Sequence, residues 1–334
     1  MKKLSLGYFG SNDFSADFLE KILTDKDLLQ LVKVEFVVTQ PDRKAGRKQT
    51  LTPTPVKHIA KKFDLEILEL NDLENENLKT KVSPLDLALV YSYSSIIPTS
   101  LLNLPRLGFW GIHPSLLPKY RGTSPMATAL INGDHETGIT IIKMDDQLDH
   151  GPIIDQQSLT IQNSDKRPDL EKKLTNFAFE MFIKLLKKGV ERLGIPTARS
   201  DFSSPPLVAS TDGKKRETLT SGNKNLEVKP LPKEQDHKNA TYTKKLTKQD
   251  GFIEFDQLKK SIRHEQLPVS DLILFNLFRG LYPWPGIWTI LPSGKRLKII
   301  DMELKQDRII VKKVQLEGKK EVDFVTFNQA YRIF

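Results

Sequence analysis

The chain predicts an α/β protein, with a mainly parallel, doubly wound sheet over residues 1–190 and a small β-barrel domain over residues 241–334. Three observations carry this. Strand-like apolar runs alternate with helix-like segments through the first part, the pattern expected of a parallel sheet covered by helices. After residue 240 the runs become short and closely spaced, with turns such as Pro292-Ser293-Gly294 between them, which argues for a small barrel. At 334 residues, 38% apolar and 28% charged, the chain has the ordinary make-up of a soluble globular protein and is long enough for two cores.

In order, residues 4–9 read as the first strand and 14–23 as an amphipathic helix. The basic start Met1-Lys2-Lys3 could pass for the front of a signal peptide, but Asp13 and Asp17 cut off its apolar core. Residues 34–39 read as a strand, 55–63 as a helix, 85–91 and 108–113 as strands, 125–131 as a helix, 139–144 as a strand and 170–188 as a long helix. The first strand-to-helix turn, Gly10-Ser11-Asn12-Asp13-Phe14, lacks GxGxxG spacing, which argues against a dinucleotide. Residues 191–240 are rich in Ser, Pro, Lys and Asp without an apolar period and read as a linker, partly disordered. Strand-like runs return at 251–255, 286–291, 297–304, 308–313 and 321–327, and there is no internal repeat.

Composition removes several classes. Without cysteine there is no disulfide framework, thiolate nucleophile or zinc-thiolate site. No apolar run approaches the roughly 20 residues of a membrane span, so a cytoplasmic enzyme is expected. The net charge of +9 suits a polyanionic partner or a merely solvated surface, and the total alone leaves both open. Its distribution says more: residues 241–334 hold 17 Lys/Arg against 11 Asp/Glu, and the polar loop after the second strand carries Arg43, Arg47 and Lys48.

The chemistry concentrates between Trp110 and Pro152. His113 ends an apolar run, a Pro/Gly-rich loop follows, and Asp149 stands in a later turn. Sheets of the predicted kind bind ligands at the carboxyl ends of their strands, so His113 and Asp149 can meet at one edge. An imidazole oriented by a carboxylate can take a proton from a nucleophile and return it to a leaving group. A histidine after a strand also serves as a plain structural hydrogen-bonder. The long loop beside it favours function.

The run His113-Pro114-Ser115-Leu116-Leu117-Pro118-Lys119-Tyr120-Arg121-Gly122 resembles the HxSLLPxxRG signature of the folate-dependent formyltransferases. Leu148-Asp149-His150-Gly151 resembles the LDxG turn of the same family. The resemblance implies a Rossmann-like domain, 10-formyltetrahydrofolate as the formyl-donating cosubstrate, and no metal. His113 would assist proton removal from the attacking amine and hydrogen-bond the oxyanion. Asp149 would orient His113 and help a bound water return a proton to the folate nitrogen, with His150 a turn residue. Cofactor contacts are implied at Tyr93, Ser94, Ser95 and Ile96, in the Ser115, Leu116, Leu117 and Pro118 loop, and at Ile142 and Asp145; Ile96 equally suits a core. Two positions depart from the family. Gly111 stands where an Asn amide holds the oxyanion, a donor whose loss typically costs roughly 2.7–4 kcal/mol. Ser94 stands where Gly is usual and narrows the pocket.

Residues 39–57 resemble the TQPDRxAGR…PxPVK insertion of the methionyl-tRNA formyltransferases, and residues 278–288 resemble their xNPWPxxW segment. That likeness implies an OB-like C-terminal domain and initiator methionyl-tRNA as partner, with Arg43, Arg47 and Lys48 pairing with phosphates or stacking on an end base. The expected enzyme is a monomer that formylates the methionine α-amine. Two alternatives remain: a sugar-nucleotide N-formyltransferase, against which the basic loop and basic C-terminal domain speak, and a catalytically silent tRNA-binding homologue, motivated by Gly111.

Overall fold

A computed structural model describes residues 3–45, 49–71, 73–192, 232–265 and 271–334. β1 (Leu4–Gly10) leads into α1 (Asp13–Thr24), whose first turn is closed by the Asn12 side chain accepting from the Ser15 N–H. There follow α2 (Leu28–Leu31), β2 (Val32–Thr39), a hairpin of β3 (Arg43–Ala45) and β4 (Thr50–Thr52), and α3 (Pro55–Lys62). Thr54 caps α3 by accepting from the Lys57 N–H, with proline at the first helical position where a missing N–H costs nothing. Then come β5 (Glu66–Glu69), α4 (Glu76–Val82), β6 (Leu87–Tyr91), α5 (Thr99–Leu102), β7 (Phe109–His113), β8 (Arg121–Gly122), α6 (Pro125–Asn132), β9 (Glu136–Lys143), β10 (Ile153–Thr160) and the long α7 (Arg167–Arg192).

Seven of these strands form one sheet in the order β10-β9-β7-β6-β1-β2-β5. β7, β6, β1, β2 and β5 run parallel, and β9 is antiparallel to both of its neighbours. The inner strands β6, β1 and β7 are almost wholly buried because both faces are covered, while the edge strands β5 and β10 carry polar, partly exposed residues. Along β6, Leu87, Leu89 and Tyr91 join the core formed with α1, α3, α6 and α7, while Ala88 and Val90 join the core under α4 and α5. The chain leaves β1 on one side toward β2 and returns on the other at β6, so the crevice at the carboxyl ends of β1, β6 and β7 is the switch point where such sheets bind ligands.

The middle of the expected linker, with Arg47 and Lys48 of the basic loop, lies outside the described residues. Residues 232–240, placed in that linker by composition, lie against the first domain. Lys233 and Ile153 exchange both main-chain hydrogen bonds at 2.7 and 2.8 Å, and Gln235 is buried. β11 (Tyr242–Thr243) then pairs in parallel with β8. Beyond it lie α8 (Phe255–Ile262), α9 (Asp271–Leu281), the antiparallel row β12 (Trp288–Ile290), β13 (Arg296–Lys305), β14 (Arg308–Leu316) and β15 (Glu321–Asp323), and α10 (Phe324–Tyr331).

The C-terminal part is thus a small β domain with its own core, but its described strands make an open row of four, and three helices were not expected. Residues 251–255, expected as a strand, divide between a 3-10 turn at Lys248–Gly251, a single bridge from Phe252 to Trp288, and the start of α8. Residues 321–327 split between β15 and α10. The aromatic segment 278–288 divides as well: Phe278 is fully buried, Trp288 packs against Phe252, and Trp284 is 48% exposed. The domain seats α9 on α6, where Gly280 lies so close to Ala127 and Ile131 that a Cβ would stand 2.7 Å from the Ala127 oxygen.

Candidate active site

β7 delivers His113 to the switch-point edge. The imidazole is 6% exposed, and its Nε2 lies 2.8 Å from the main-chain oxygen of Tyr120. A carbonyl oxygen only accepts, so Nε2 carries the proton and Nδ1 is the nitrogen of the neutral ring that can take one. Tyr120 presents that oxygen from a left-handed backbone (φ 63°). It is pinned on both sides, by its hydroxyl donating to Asp134 at 2.8 Å and by its N–H donating to the Thr241 hydroxyl at 2.8 Å. Burial pushes the Tyr120 phenol above its ordinary range, which keeps it a donor to Asp134. The ring is therefore oriented by Tyr120, a loop residue to which sequence reasoning gave no role.

Asp149 Oδ2 stands 3.5 Å from His113 Nδ1 and accepts the Gly122 N–H at 2.7 Å. The separation from the ring exceeds hydrogen-bond length. The ring is thus met on both nitrogens, by the main chain of Tyr120 at Nε2 and by the Asp149 carboxylate facing Nδ1. Gly122 has φ 109°, and a Cβ there would stand 2.8 Å from the Thr243 oxygen, so glycine is required where β8 meets β11.

Strand alternation places Gly111 on the same face of β7 as His113. Its φ is not left-handed, and a Cβ would meet Met144 Cγ at 3.2 Å and Ile142 Cγ1 at 3.3 Å. Ile142, expected at the cofactor, is 2% exposed and lies opposite Gly111 in the sheet, so it forms the wall behind that position. Met144 fills part of the space that an asparagine would take.

The backbone of the loop Ser115, Leu116, Leu117 and Pro118 is tied down by hydrogen bonds. The Ser115 hydroxyl donates to the Lys119 oxygen at 2.6 Å and is fully buried. Thr140 accepts the Leu117 N–H at 3.1 Å and donates to the Ser115 oxygen at 2.7 Å; Gln156 donates to the Leu117 oxygen at 2.9 Å, and the Thr241 N–H reaches the Pro118 oxygen at 3.2 Å. Asp145 accepts from His150 Nδ1 at 2.6 Å. That ring stacks on His237 with centroids 3.9 Å apart, so His150 belongs to a rim cluster rather than to a bare turn.

At the end of β6 the Tyr93 ring packs edge-on against Phe9 at 5.9 Å. Its hydroxyl is buried, with Ser95 and Gln40 beside it but no partner at hydrogen-bond geometry, and burial pushes the phenol above its usual range. Ser94 is exposed, Ser95 accepts from Gln40 at 2.9 Å, and Ile96 is 78% exposed while Ile97 takes the core position. Asn12 donates to the Ser92 hydroxyl at 2.6 Å, tying the ends of β1 and β6 together. Gln40 continues the network by accepting from Arg43 at 2.7 Å at the base of the β3–β4 hairpin. Lys57 anchors that base from 8% exposure, at 2.6 Å from Asp42 and 2.8 Å from Glu69, and holds the Asp42 carboxyl below its ordinary range. Sequence reasoning missed Gln40 and Lys57 as organisers of this edge.

Among the described residues no group of three or more His, Asp and Glu could hold a metal, and no helix is long and apolar enough to cross a membrane. Residues 8–186 match the formyl transferase family. A methionyl-tRNA formyltransferase of Caldicellulosiruptor saccharolyticus is 31% identical over 99% of this chain and 98% of its own length. Two solved structures share the fold at low identity. A 4-N formyltransferase from Francisella tularensis has TM-score 0.58 and 18% identity over 91% of this chain and 98% of its own. A methionyl-tRNA formyltransferase from Clostridium thermocellum has TM-score 0.55 and 15% identity over 94% and 98%. The family match across the catalytic sheet, together with a full-length relative above 30% identity, shows that the chain belongs to the formyl transferase family.

Proposed function

We propose that this chain transfers a formyl group from 10-formyltetrahydrofolate to the α-amine of methionine carried on initiator tRNA. The observation that carries the reading is His113 Nδ1 facing Asp149 Oδ2 at the end of β7. It occurs in a chain that aligns with a protein named methionyl-tRNA formyltransferase over nearly the whole of both lengths. Solved sugar N-formyltransferases share the fold, but at 16% identity that likeness carries no substrate.

The end of β6 suits the folate. The unpartnered Tyr93 hydroxyl offers a hydrogen bond, the exposed Ile96 offers an apolar face, and the main chain at Ser94 and Ser95 borders both. When bound, the cosubstrate supplies the formyl carbon. The chain's own part is to handle the proton and the charge. His113 Nδ1 takes the proton of the attacking α-amine while Nε2 keeps its bond to Tyr120, so the ring does not turn during the transfer. The imidazolium then lies opposite the Asp149 carboxylate, which stabilises it until the proton is returned to the folate nitrogen as the bond from that nitrogen to the formyl carbon breaks. The β3–β4 hairpin and the positive C-terminal domain attract the polyanionic acceptor.

The test offers 10-formyltetrahydrofolate with three acceptors: methionyl initiator tRNA, methionyl elongator tRNA and an amino-sugar nucleotide. Formylation of the first above the other two supports the reading. Formylation of the sugar nucleotide replaces it, and tRNA binding without any formylation marks a silent homologue.

A further inference from the structure

Asp149 holds its carboxylate on the Gly122 N–H from a left-handed backbone, with φ 51°. Aspartate tolerates that conformation better than most residues, but at a cost, and its surroundings hold it there. The fixing group here is 86 residues further along the chain. Gln235, 5% exposed, donates from its side-chain amide to the main-chain oxygens of Asp149 at 2.9 Å and Gly151 at 2.8 Å. Its amide oxygen accepts from Arg121 Nη2 at 2.7 Å and Nε at 3.3 Å. Both donors and the acceptor of the carboxamide are thereby used.

Gln235 is itself held on either side. Lys233 pairs with Ile153 through two main-chain bonds. His237 stacks on His150 and accepts the Arg121 guanidinium at Nδ1, 2.8 Å away. Arg121, 2% exposed, belongs to β8, next to the Gly122 that holds the Asp149 carboxylate. The turn carrying Asp149 is thus fixed at its main chain by Gln235 and at its side chain by Gly122, with Arg121 joining the two anchors.

We propose that Gln235 is a positioning residue for Asp149, so that the segment leading into the C-terminal domain completes the catalytic turn. The proposal rests on the formyl-transfer reading above. Only a carboxamide suits the place: a carboxylate would turn lone pairs toward two carbonyl oxygens, and a thioether would leave both carbonyls without a donor. Without the clip the Asp149 main chain is free to leave the left-handed region, carrying the carboxylate away from the Gly122 N–H and from His113. A misplacement of about 1 Å can cost on the order of 10²-fold in rate.

The experiment measures formylation of methionyl initiator tRNA by the full chain carrying Gln235→Met or Gln235→Glu, each alone and combined with Asp149→Ala. We expect either single variant to lower kcat on the order of 10²-fold, with KM for both substrates unchanged. In the Asp149→Ala background the same substitutions produce no further fall, because groups acting as a unit are not additive. Gln235→Glu keeps the contact with Arg121 and serves if the methionine variant does not fold. Unchanged kcat in a folded variant overturns the proposal, as does an equal further loss in the Asp149→Ala background, which marks Gln235 as a support of the fold. A wild-type chain that does not formylate is a separate failure, of the formyl-transfer reading itself.

Discussion

Gly111→Asn supplies the side-chain amide that the resemblance to the formyltransferase signature implies beside the histidine, and the structure sets the size of the effect. Gly111 has no left-handed φ, so asparagine can adopt the backbone, and its Cβ would lie 3.2 Å from Met144 Cγ and 3.3 Å from Ile142 Cγ1. Ile142 is sealed in the sheet, so the flexible Met144 must yield. Such overpacking costs about 1–3 kcal/mol of stability. An oxyanion donor lowers the barrier by roughly 2.7–4 kcal/mol. Placing it in an off-rotamer pose subtracts about 0.5–1.5 kcal/mol, leaving about 1.2–3.5 kcal/mol, on the order of ten- to a few-hundred-fold in kcat. The assay is kcat at saturating 10-formyltetrahydrofolate and methionyl initiator tRNA, with Gly111→Ala as the control that adds the same Cβ without an amide. We expect both variants to melt lower and only the asparagine variant to turn over faster. If both lose activity alike, the site needs glycine for close approach and already has its donor, and the reasoning fails.

Arg43→Ala should weaken tRNA binding and reduce the slope of log affinity against log salt by about one, with folate KM unchanged; an unchanged slope would make Arg43 only a strut for Gln40. Asp250 caps the turn at Lys248–Gly251, and its bonds to Lys244 and to Thr247 hold its carboxyl down at about 2. A depressed carboxyl contributes stability above its ordinary value of 3.8 and loses it as pH falls through about 2. Asp250→Ala should therefore cost about 1 kcal/mol at neutral pH, with the difference from wild type vanishing toward pH 2 in denaturant titrations. Gly280→Ala should lower stability by about 1–3 kcal/mol, because its Cβ would stand 2.6 Å from Ile131 Cγ1 and 2.7 Å from the Ala127 oxygen; an unchanged melting temperature would mean that α9 does not bear on α6 in solution.

The central strands β1, β2, β6, β7 and β9 were legible because they are largely apolar runs, and β7 ends at His113 as the pattern required; the edge strands β5 (EILE) and β10 (IIDQQSLT) were not, because they are short or polar and only partly buried. The C-terminal helices were not. α9 carries Leu272, Ile273, Leu274, Phe275, Leu277 and Phe278, an apolar run whose periodicity does not separate a buried helix from a strand. Residues 321–327 change from strand to helix at Phe324 without a glycine or proline between. In the site, His113, Asp149 and Gly111 carry chemistry that motif and spacing express. Tyr120 acts through a main-chain oxygen, which leaves no signature in residue type. Gln235 sits in a polar stretch whose partners, Asp149 and Arg121, are reached only by folding.

The proposed role of His113 as proton acceptor at the end of β7 stands or falls on kcat of His113→Ala with methionyl initiator tRNA. We expect a loss of roughly 10²–10⁴-fold with tRNA affinity and melting temperature close to wild type, and no further loss when Asp149→Ala is added. A variant retaining more than about a tenth of wild-type kcat would contradict the general-base role and return His113 to a structural hydrogen bond with Tyr120.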